Sequence, residues 1–291
     1  MERLIDMHIH SNYSDGEYSP NELIAMANDA CIKTIAITDH DSINGIKQID
    51  WEQDIIKNGD IEVYNGIELS AKVTKGSMHI LGYDFDVNNS QLNEKMSELR
   101  DNSLSSVLST MEQIKRDFGI RFKYDDIRDL INANHNLGRP DLARLCVKYS
   151  YAKTVDEAFE KYLEPSYETV RKLGCRKGIT YQECIFLIKN SNGIPVLAHP
   201  KTLKLGKNEL ISLLESMIEC GLLGIEVYHS SHSEEEIEFY LELADKYDLL
   251  ISGGSDYHGP NTKPNIKLGT GEGNLKIKKL SLVDELHRRK R

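Results

Sequence analysis

The sequence lacks a Cys-x-x-Cys pair, a run of roughly 20 apolar residues, a Walker-type glycine loop and a Gly-x-Ser-x-Gly elbow. Its five cysteines, Cys31, Cys146, Cys175, Cys184 and Cys220, are odd in number and widely spaced, so neither a disulfide framework nor a thiolate zinc site is expected. With no membrane-length apolar run, and no basic stretch leading into an apolar one at the start, no membrane partner is expected and the protein reads as cytoplasmic. The missing loop and elbow leave nucleoside-triphosphate motors and serine hydrolases without support. Positive charge is also scarce. Lys and Arg number 36 against 46 Asp and Glu, a net charge of -10, which argues against a broad basic surface for long nucleic acid. Short anionic substrates remain open, because bound divalent cations reverse the local sign of an acidic pocket.

What is present is an ordinary globular composition, 40% hydrophobic and 28% charged over 291 residues, enough for one large α/β barrel or one domain with an insertion. In residues 4–10, Ile5, Met7 and Ile9 alternate with Asp6, His8 and His10, the period of a strand. His8 and His10 then share a face about 7 Å apart, and neutral imidazoles so placed converge on a metal ion. Asp15 follows in a turn marked by Ser14 and Gly16.

Downstream, Ser19-Pro20-Asn21-Glu22 carries the signature of a helix start. Strands are expected over 33–38, ending at Asp39-His40-Asp41, over 61–68, ending at Glu68, and over 77–83, which contains His79. A helix is expected over 45–57. From 91 to 174 the alternation of strand and helix stops, and helical stretches at 92–118, 124–132, 140–148 and 155–163 mark an inserted helical cap; residues 1–90 and 175–291 form the barrel around it. Alternation resumes with a helix at 180–191, then strands at 196–198, 224–228 and 249–252 that run into His199, His229 and Asp256-Tyr257-His258. Helices at 208–220 and 233–247 separate them, and another begins near 280. No internal repeat is evident.

Seven strands, six ending at or near a polar cluster, fit a parallel barrel, which gathers its strand ends on one face. An open doubly wound sheet would leave some of those ends far apart. The candidate ligands are His8, His10, Asp15, His40, Glu68, His79, His199, Asp256 and His258. Nine groups exceed the needs of one ion and suit two or three divalent ions with a bridging carboxylate. Mixed imidazole and carboxylate donors fit zinc, manganese or iron(II) rather than calcium. Adjacent ions activate a bridging water and neutralise a phosphoryl group, so phosphoester hydrolysis leads.

His8-x-His10, Asp15, Thr38-Asp39-His40-Asp41, Glu68, His79, Ala198-His199-Pro200 and Ser255-Asp256-x-His258 together resemble the motif set of the polymerase and histidinol phosphatase (PHP) family. The resemblance implies a distorted, TIM-like (β/α)7 barrel with a trinuclear site and a metal-bridging hydroxide as nucleophile. It assigns His8, His10, Glu68 and Asp256 to one ion, Asp15, His40 and His258 to a second, and Glu68, His79 and His199 to a third. The inserted cap is similar to that of the branch acting on nucleoside monophosphates, 3',5'-bisphosphonucleotides and the 5' ends of short RNAs. Arg139, before Pro140 at a helix N-terminus, is the expected phosphate contact. Lys177 and Ser230 are weaker substrate-binding candidates, His229 and His232 candidate proton donors, and His135 stays unassigned. The expected partner is a small phosphorylated substrate, a nucleotide or short oligonucleotide, with no obligate protein partner evident. A histidinol-phosphate-type phosphatase, an amidohydrolase and a metal-stabilised regulatory module are the alternatives.

Overall fold

Strands β1 (Leu4–Ile9), β2 (Ile32–Ile37), β3 (Glu62–Ala71), β4 (Met78–Tyr83), β5 (Ile194–Leu197), β6 (Gly224–His229) and β7 (Leu250–Gly254) pair in chain order in one seven-stranded sheet. A computed structural model describes residues 4–51, 61–73, 75–132, 137–172 and 178–290. Its helices are α1 (Pro20–Asp29), α2 (Ser90–Phe118), α3 (Tyr124–Asn132), α4 (Arg139–Lys148), α5 (Val155–Ala158), α6 (Glu164–Lys172), α7 (Tyr181–Asn190), α8 (Lys207–Glu219), α9 (Glu234–Lys246) and α10 (Ser281–Arg289).

The sheet curls until β7 meets β1. Ile9 bridges Tyr257 in parallel fashion, the His10 N–H donates to the Tyr257 carbonyl at 2.9 Å, and the Asp256 N–H donates to that of His8 at 2.8 Å. Gly254 permits this approach, since a Cβ there would stand 2.4 Å from the His8 nitrogen. The lumen is filled by side chains. Tyr83 of β4 donates its hydroxyl to the Met7 carbonyl at 2.9 Å and lies 3.2 Å from Ser252 Oγ. As β4 is not a neighbour of β1 or β7 in the sheet, that side chain crosses the barrel. Ile5, Ala36, Val196 and Ala198 surround it, and Leu282, Val283 and Leu286 of α10 belong to the same cluster.

One strand departs from the parallel barrel expected from the sequence. β4 runs antiparallel to both β3 and β5. The physical reason is the link over 72–77, far shorter than the dozen or more residues that a parallel crossover requires. The expected helix over 45–57 is a single 3-10 turn at Ile46–Gln48 in its described part, the remainder lying outside the described residues.

Helices on the outside are started by local chemistry. Ser19 accepts the Glu22 N–H while Glu22 accepts that of Ser19, and Thr180 with Glu183 and Ser233 with Glu236 repeat the arrangement. An N-cap of this kind contributes about 1 kcal/mol. Leu23, Ile24 and Ala27 of α1 join Ile9, Ile35 and Ile37 in the layer between helices and strands.

Between β4 and β5 the described residues are mostly helical, with a core of their own around Val107, Ile114, Leu142, Cys146, Ala158 and Leu163. Where one helix is expected over 155–163, α5 gives way to a π-helical turn at Phe159–Leu163. Leu92, Met96 and Leu99 of α2 join the barrel's core. Arg144 of α4 reaches the barrel mouth, donating to the Asp15 carbonyl at 3.2 Å and to Thr262 Oγ1 at 3.3 Å, with Asp141 Oδ1 steadying it at 2.9 Å.

Candidate metal centre

Glu68, near the middle of β3, is fully buried, and its two carboxylate oxygens face two groups of imidazoles. Oε1 lies 2.8 Å from both His79 Nδ1 and His199 Nε2. Oε2 lies 3.3 Å from His8 Nε2, 3.2 Å from His10 Nε2 and 3.1 Å from His40 Nδ1. The reversal of β4 matters here, because His79 stands at the start of its strand and the reversal puts that start at the mouth, where the parallel strands end.

The remaining carboxylates close the cluster. Asp15 Oδ1 is 3.5 Å from His10 Nδ1 and 3.3 Å from His258 Nε2, and Asp15 Oδ2 is 4.0 Å from His40 Nε2. Asp256 Oδ1 is 3.2 Å from His10 Nε2 and 3.4 Å from His258 Nδ1. All nine side chains expected from the sequence thus meet in one place, in overlapping sets close enough to share ions: His10, Asp15, His40 and His258; His8, His10 and Asp256; His8, Glu68 and His199; His40, Glu68 and His79.

Strained backbone aims some of these groups. Asp256 and His199 have positive φ of 57° and 21°, sparsely populated for such residues. The Asp256 bond to His8 and a 2.7 Å bond from the His199 N–H to Glu226 Oε2 hold them there.

Burial disfavours charge on Glu68, Asp15 and Asp256, yet the imidazoles around them, and Lys263 beside Asp256, hold all three well below the usual carboxylate range. Burial pushes His40 down to about 3. It opposes the charge of His10 too, but the carboxylates of Asp256 and Glu68, each 3.2 Å from Nε2, lift that ring to about 9. These anions therefore require cations close by.

Divalent ions fit. His8 Nε2, both ring nitrogens of His10, Asp15 Oδ1 and Glu68 Oε2 are buried with no hydrogen-bond partner among the described residues. Leaving such an atom bare costs about 1–3 kcal/mol. Five bare donor atoms aimed into one cluster are what a metal centre needs and a purely structural network avoids.

Residues 6–194 match the PHP domain family. The chain belongs to that family. It is 28% identical over 258 residues to the 3',5'-nucleoside bisphosphate phosphatase of Chromobacterium violaceum, covering 88% of this chain and 87% of that protein. It is 27% identical over 263 residues to a 5'-3' exoribonuclease of Haemophilus influenzae, covering 89% and 92%. A Bifidobacterium adolescentis crystal structure, assigned as a metal-dependent phosphoesterase, superposes with a TM-score of 0.81 at 27% identity, covering 98% of this chain and 96% of that one.

In this PHP protein the cluster extends beyond the nine anticipated groups. Glu226, inside β6, is fully buried with Oε1 2.9 Å from His8 Nδ1. Asp6 accepts the Ser255 N–H at 2.8 Å, the Ser255 hydroxyl at 2.6 Å and the Gly269 N–H at 2.7 Å. Asp39 accepts the Ser11 N–H at 2.7 Å and the hydroxyls of Ser11 and Ser14 at 2.6 and 2.7 Å, pinning the turn that carries Asp15. Lys263 Nζ lies 2.6 Å from Asp256 Oδ2; burial opposes its charge, but Asp256 holds it above the usual lysine value. In Gly-Ile-Glu-Val-Tyr-His the signal for Glu226 was an acid between two core residues. Lys263, on an irregular loop, gave none.

The expected substrate and proton-transfer residues are placed unevenly. His229 joins the cluster, with Nε2 3.3 Å from Asp256 Oδ2 and Nδ1 accepting the Ser231 N–H at 3.1 Å. His232 lies behind it with its ring tilted, 5.2 Å between ring centroids, donating from Nδ1 to the Val227 carbonyl at 2.8 Å; burial lowers it to about 4. Ser230 spends its hydroxyl on the Ser255 carbonyl at 2.5 Å. Arg139 starts α4 as expected, but its guanidinium binds Glu164 at 2.8 Å and lies over the Tyr167 ring at 4.1 Å. Lys177 and His135 lie outside the described residues.

Proposed function

We propose that this protein hydrolyses phosphate monoesters of nucleotides, releasing inorganic phosphate from nucleoside monophosphates, 3',5'-bisphosphonucleotides or the 5' ends of short RNAs. One observation carries the reading: the two oxygens of Glu68 divide the surrounding imidazoles into two sets, the arrangement of a carboxylate that bridges ions. In the assignment we favour, His8, His10, Glu68 and Asp256 hold one ion, Asp15, His40 and His258 a second, and Glu68, His79 and His199 a third, with manganese, zinc or iron as the metal. Such ions, when bound, supply an activated water and neutralise charge on a phosphoryl group.

The chain's own groups do the rest. Glu226 orients His8 by taking its Nδ1, leaving Nε2 for the cluster. His229 points Nε2 at Asp256 Oδ2 on the mouth side, so when the ring carries a second proton it can pass the one on Nε2 to a leaving oxygen. His232, neutral down to about 4, serves instead to seat His229. Arg139 contacts substrate only after releasing Glu164. We further propose that the helices over 91–174 act as a cap, tied to the mouth by Arg144.

Purified protein supplied with manganese should release phosphate from adenosine 5'-monophosphate or adenosine 3',5'-bisphosphate and from the 5' end of a 5'-phosphorylated RNA oligomer. No turnover on a broad phosphoester panel, with metal measured in the same sample, sinks the reading.

A further inference from the structure

Lys263 stands at the edge of the metal centre, paired with Asp256. Asp256 turns one oxygen inward, Oδ1 at 3.2 Å from His10 Nε2, and the other outward, Oδ2 at 3.3 Å from His229 Nε2 and 2.6 Å from Lys263 Nζ. The lysine therefore touches the outer oxygen of one of the nine cluster residues. It sits at the rim of that cluster: its side chain is 37% exposed, against 13% for Asp256, 3% for His258 and none for His10.

The ammonium carries three N–H donors, and among the described residues its one hydrogen-bond acceptor is Asp256 Oδ2. Two donors are left pointing away from that carboxylate. The chain bearing them is held firmly. Thr262 donates its N–H to Glu17 Oε1 at 2.6 Å, Asn261 Nδ2 donates to Glu17 Oε2 at 2.7 Å, and Arg144 donates to Thr262 Oγ1 at 3.3 Å. The Lys263 N–H closes the turn on the Gly259 carbonyl at 2.9 Å.

A cation here pairs with Asp256, but once divalent ions occupy the centre it also adds like charge to like charge. It becomes favourable when a dianion arrives. We infer that Lys263 is a substrate-contact residue that grips a non-bridging oxygen of the phosphoryl group at the outer edge of the metal centre, an inference that rests on the phosphoesterase reading. Lysine acts at such sites as a point charge with rotatable donors, and the His229 N–H on the same Asp256 oxygen lies on the same side. The loop from Gly259 to Lys263 is thus part of the substrate's seat.

The test compares wild type, Lys263→Met and Lys263→Arg, each loaded with manganese and assayed for metal per chain and melting temperature. Inorganic phosphate is titrated calorimetrically, and kcat and KM are measured with adenosine 5'-monophosphate. The expected result is a tenfold or greater loss of phosphate affinity in Lys263→Met at unchanged metal content, kcat/KM lower by about two orders of magnitude, and most of the affinity restored in Lys263→Arg. Should Lys263→Met fail to fold, Lys263→Gln carries the same comparison. If wild type hydrolyses phosphoesters while the methionine variant binds phosphate equally well, or loses metal in proportion to activity, Lys263 only neutralises Asp256 and the inference is overturned. A metal-loaded wild type that neither binds phosphate nor turns over any phosphoester overturns the phosphoesterase reading and this inference with it.

Discussion

Glu226 Oε1 lies 2.9 Å from His8 Nδ1, two fully buried groups drawn together from β6 and β1. The acid holds well below its ordinary value, at about 2: burial opposes the charge, and His8 more than offsets it. Its other oxygen takes the His199 N–H, so one side chain orients two members of the cluster. Glu226→Gln keeps the size and removes the charge. Metal affinity should fall about 10- to 100-fold, read by chelator competition, and equal affinities would show that Glu226 only fills space.

Removing metal should destabilise the fold. A ligand present at 100 times its dissociation constant contributes about 2.7 kcal/mol, and several sites share the same residues here. Dialysis against a chelator should lower the melting temperature in scanning calorimetry, with recovery on adding manganese. Identical melting with and without ions would count against any metal role for Glu68 and its neighbours.

Asp39 supports Asp15 without being one of the nine candidate ligands. Asp39→Ala removes the acceptor for one backbone N–H and two hydroxyls, and buried donors left this way cost about 1–3 kcal/mol each. Urea denaturation should give a lower midpoint at unchanged slope. Metal content should also drop in protein that remains folded, since the turn from Ser11 to Asp15 loses its anchor.

His232 sets a pH dependence. Burial lowers it from 6.5 to about 4, so between those values the unfolded chain binds a proton that the folded one refuses. Stability therefore rises with pH across this window; the deficit is complete below about pH 4 and gone above about 6.5. Its full size is on the order of 3 kcal/mol. Imidazole nitrogen shifts should show the ring neutral at pH 5, with the proton on Nδ1, and His232→Gln should flatten the slope. A ring already protonated at pH 6 would contradict the burial argument.

Much of the cluster was legible in the sequence because several members sit where apolar strands give out, although Glu68 lies inside a strand that runs on to Ala71 instead of ending there. His8 and His10 close one such run, His40 follows the next and Asp256 the last, and the strand period says which side each faces. The direction of β4 was misjudged although the clue was present, since six residues between strands cannot carry a crossover. Glu226 was hidden by its neighbours Ile225 and Val227, which read as core whatever lies between them. Lys263 and Arg144 owe their positions to loop and tertiary contacts with no periodic trace, and a helix start at Arg139 says nothing of Glu164 and Tyr167, which claim its side chain.

Tyr83 and Ile194 are paired directly across β4 and β5, although the whole helical excursion separates them along the chain. Topologically that excursion is the loop of one enlarged hairpin. Closing such a loop becomes harder only with the logarithm of its length, about 0.6 kcal/mol for each doubling. The barrel's hydrogen-bond ladder is thus nearly indifferent to how much polypeptide hangs there, and segments of quite different size can be exchanged at this junction while the ion-binding end of the molecule keeps its shape.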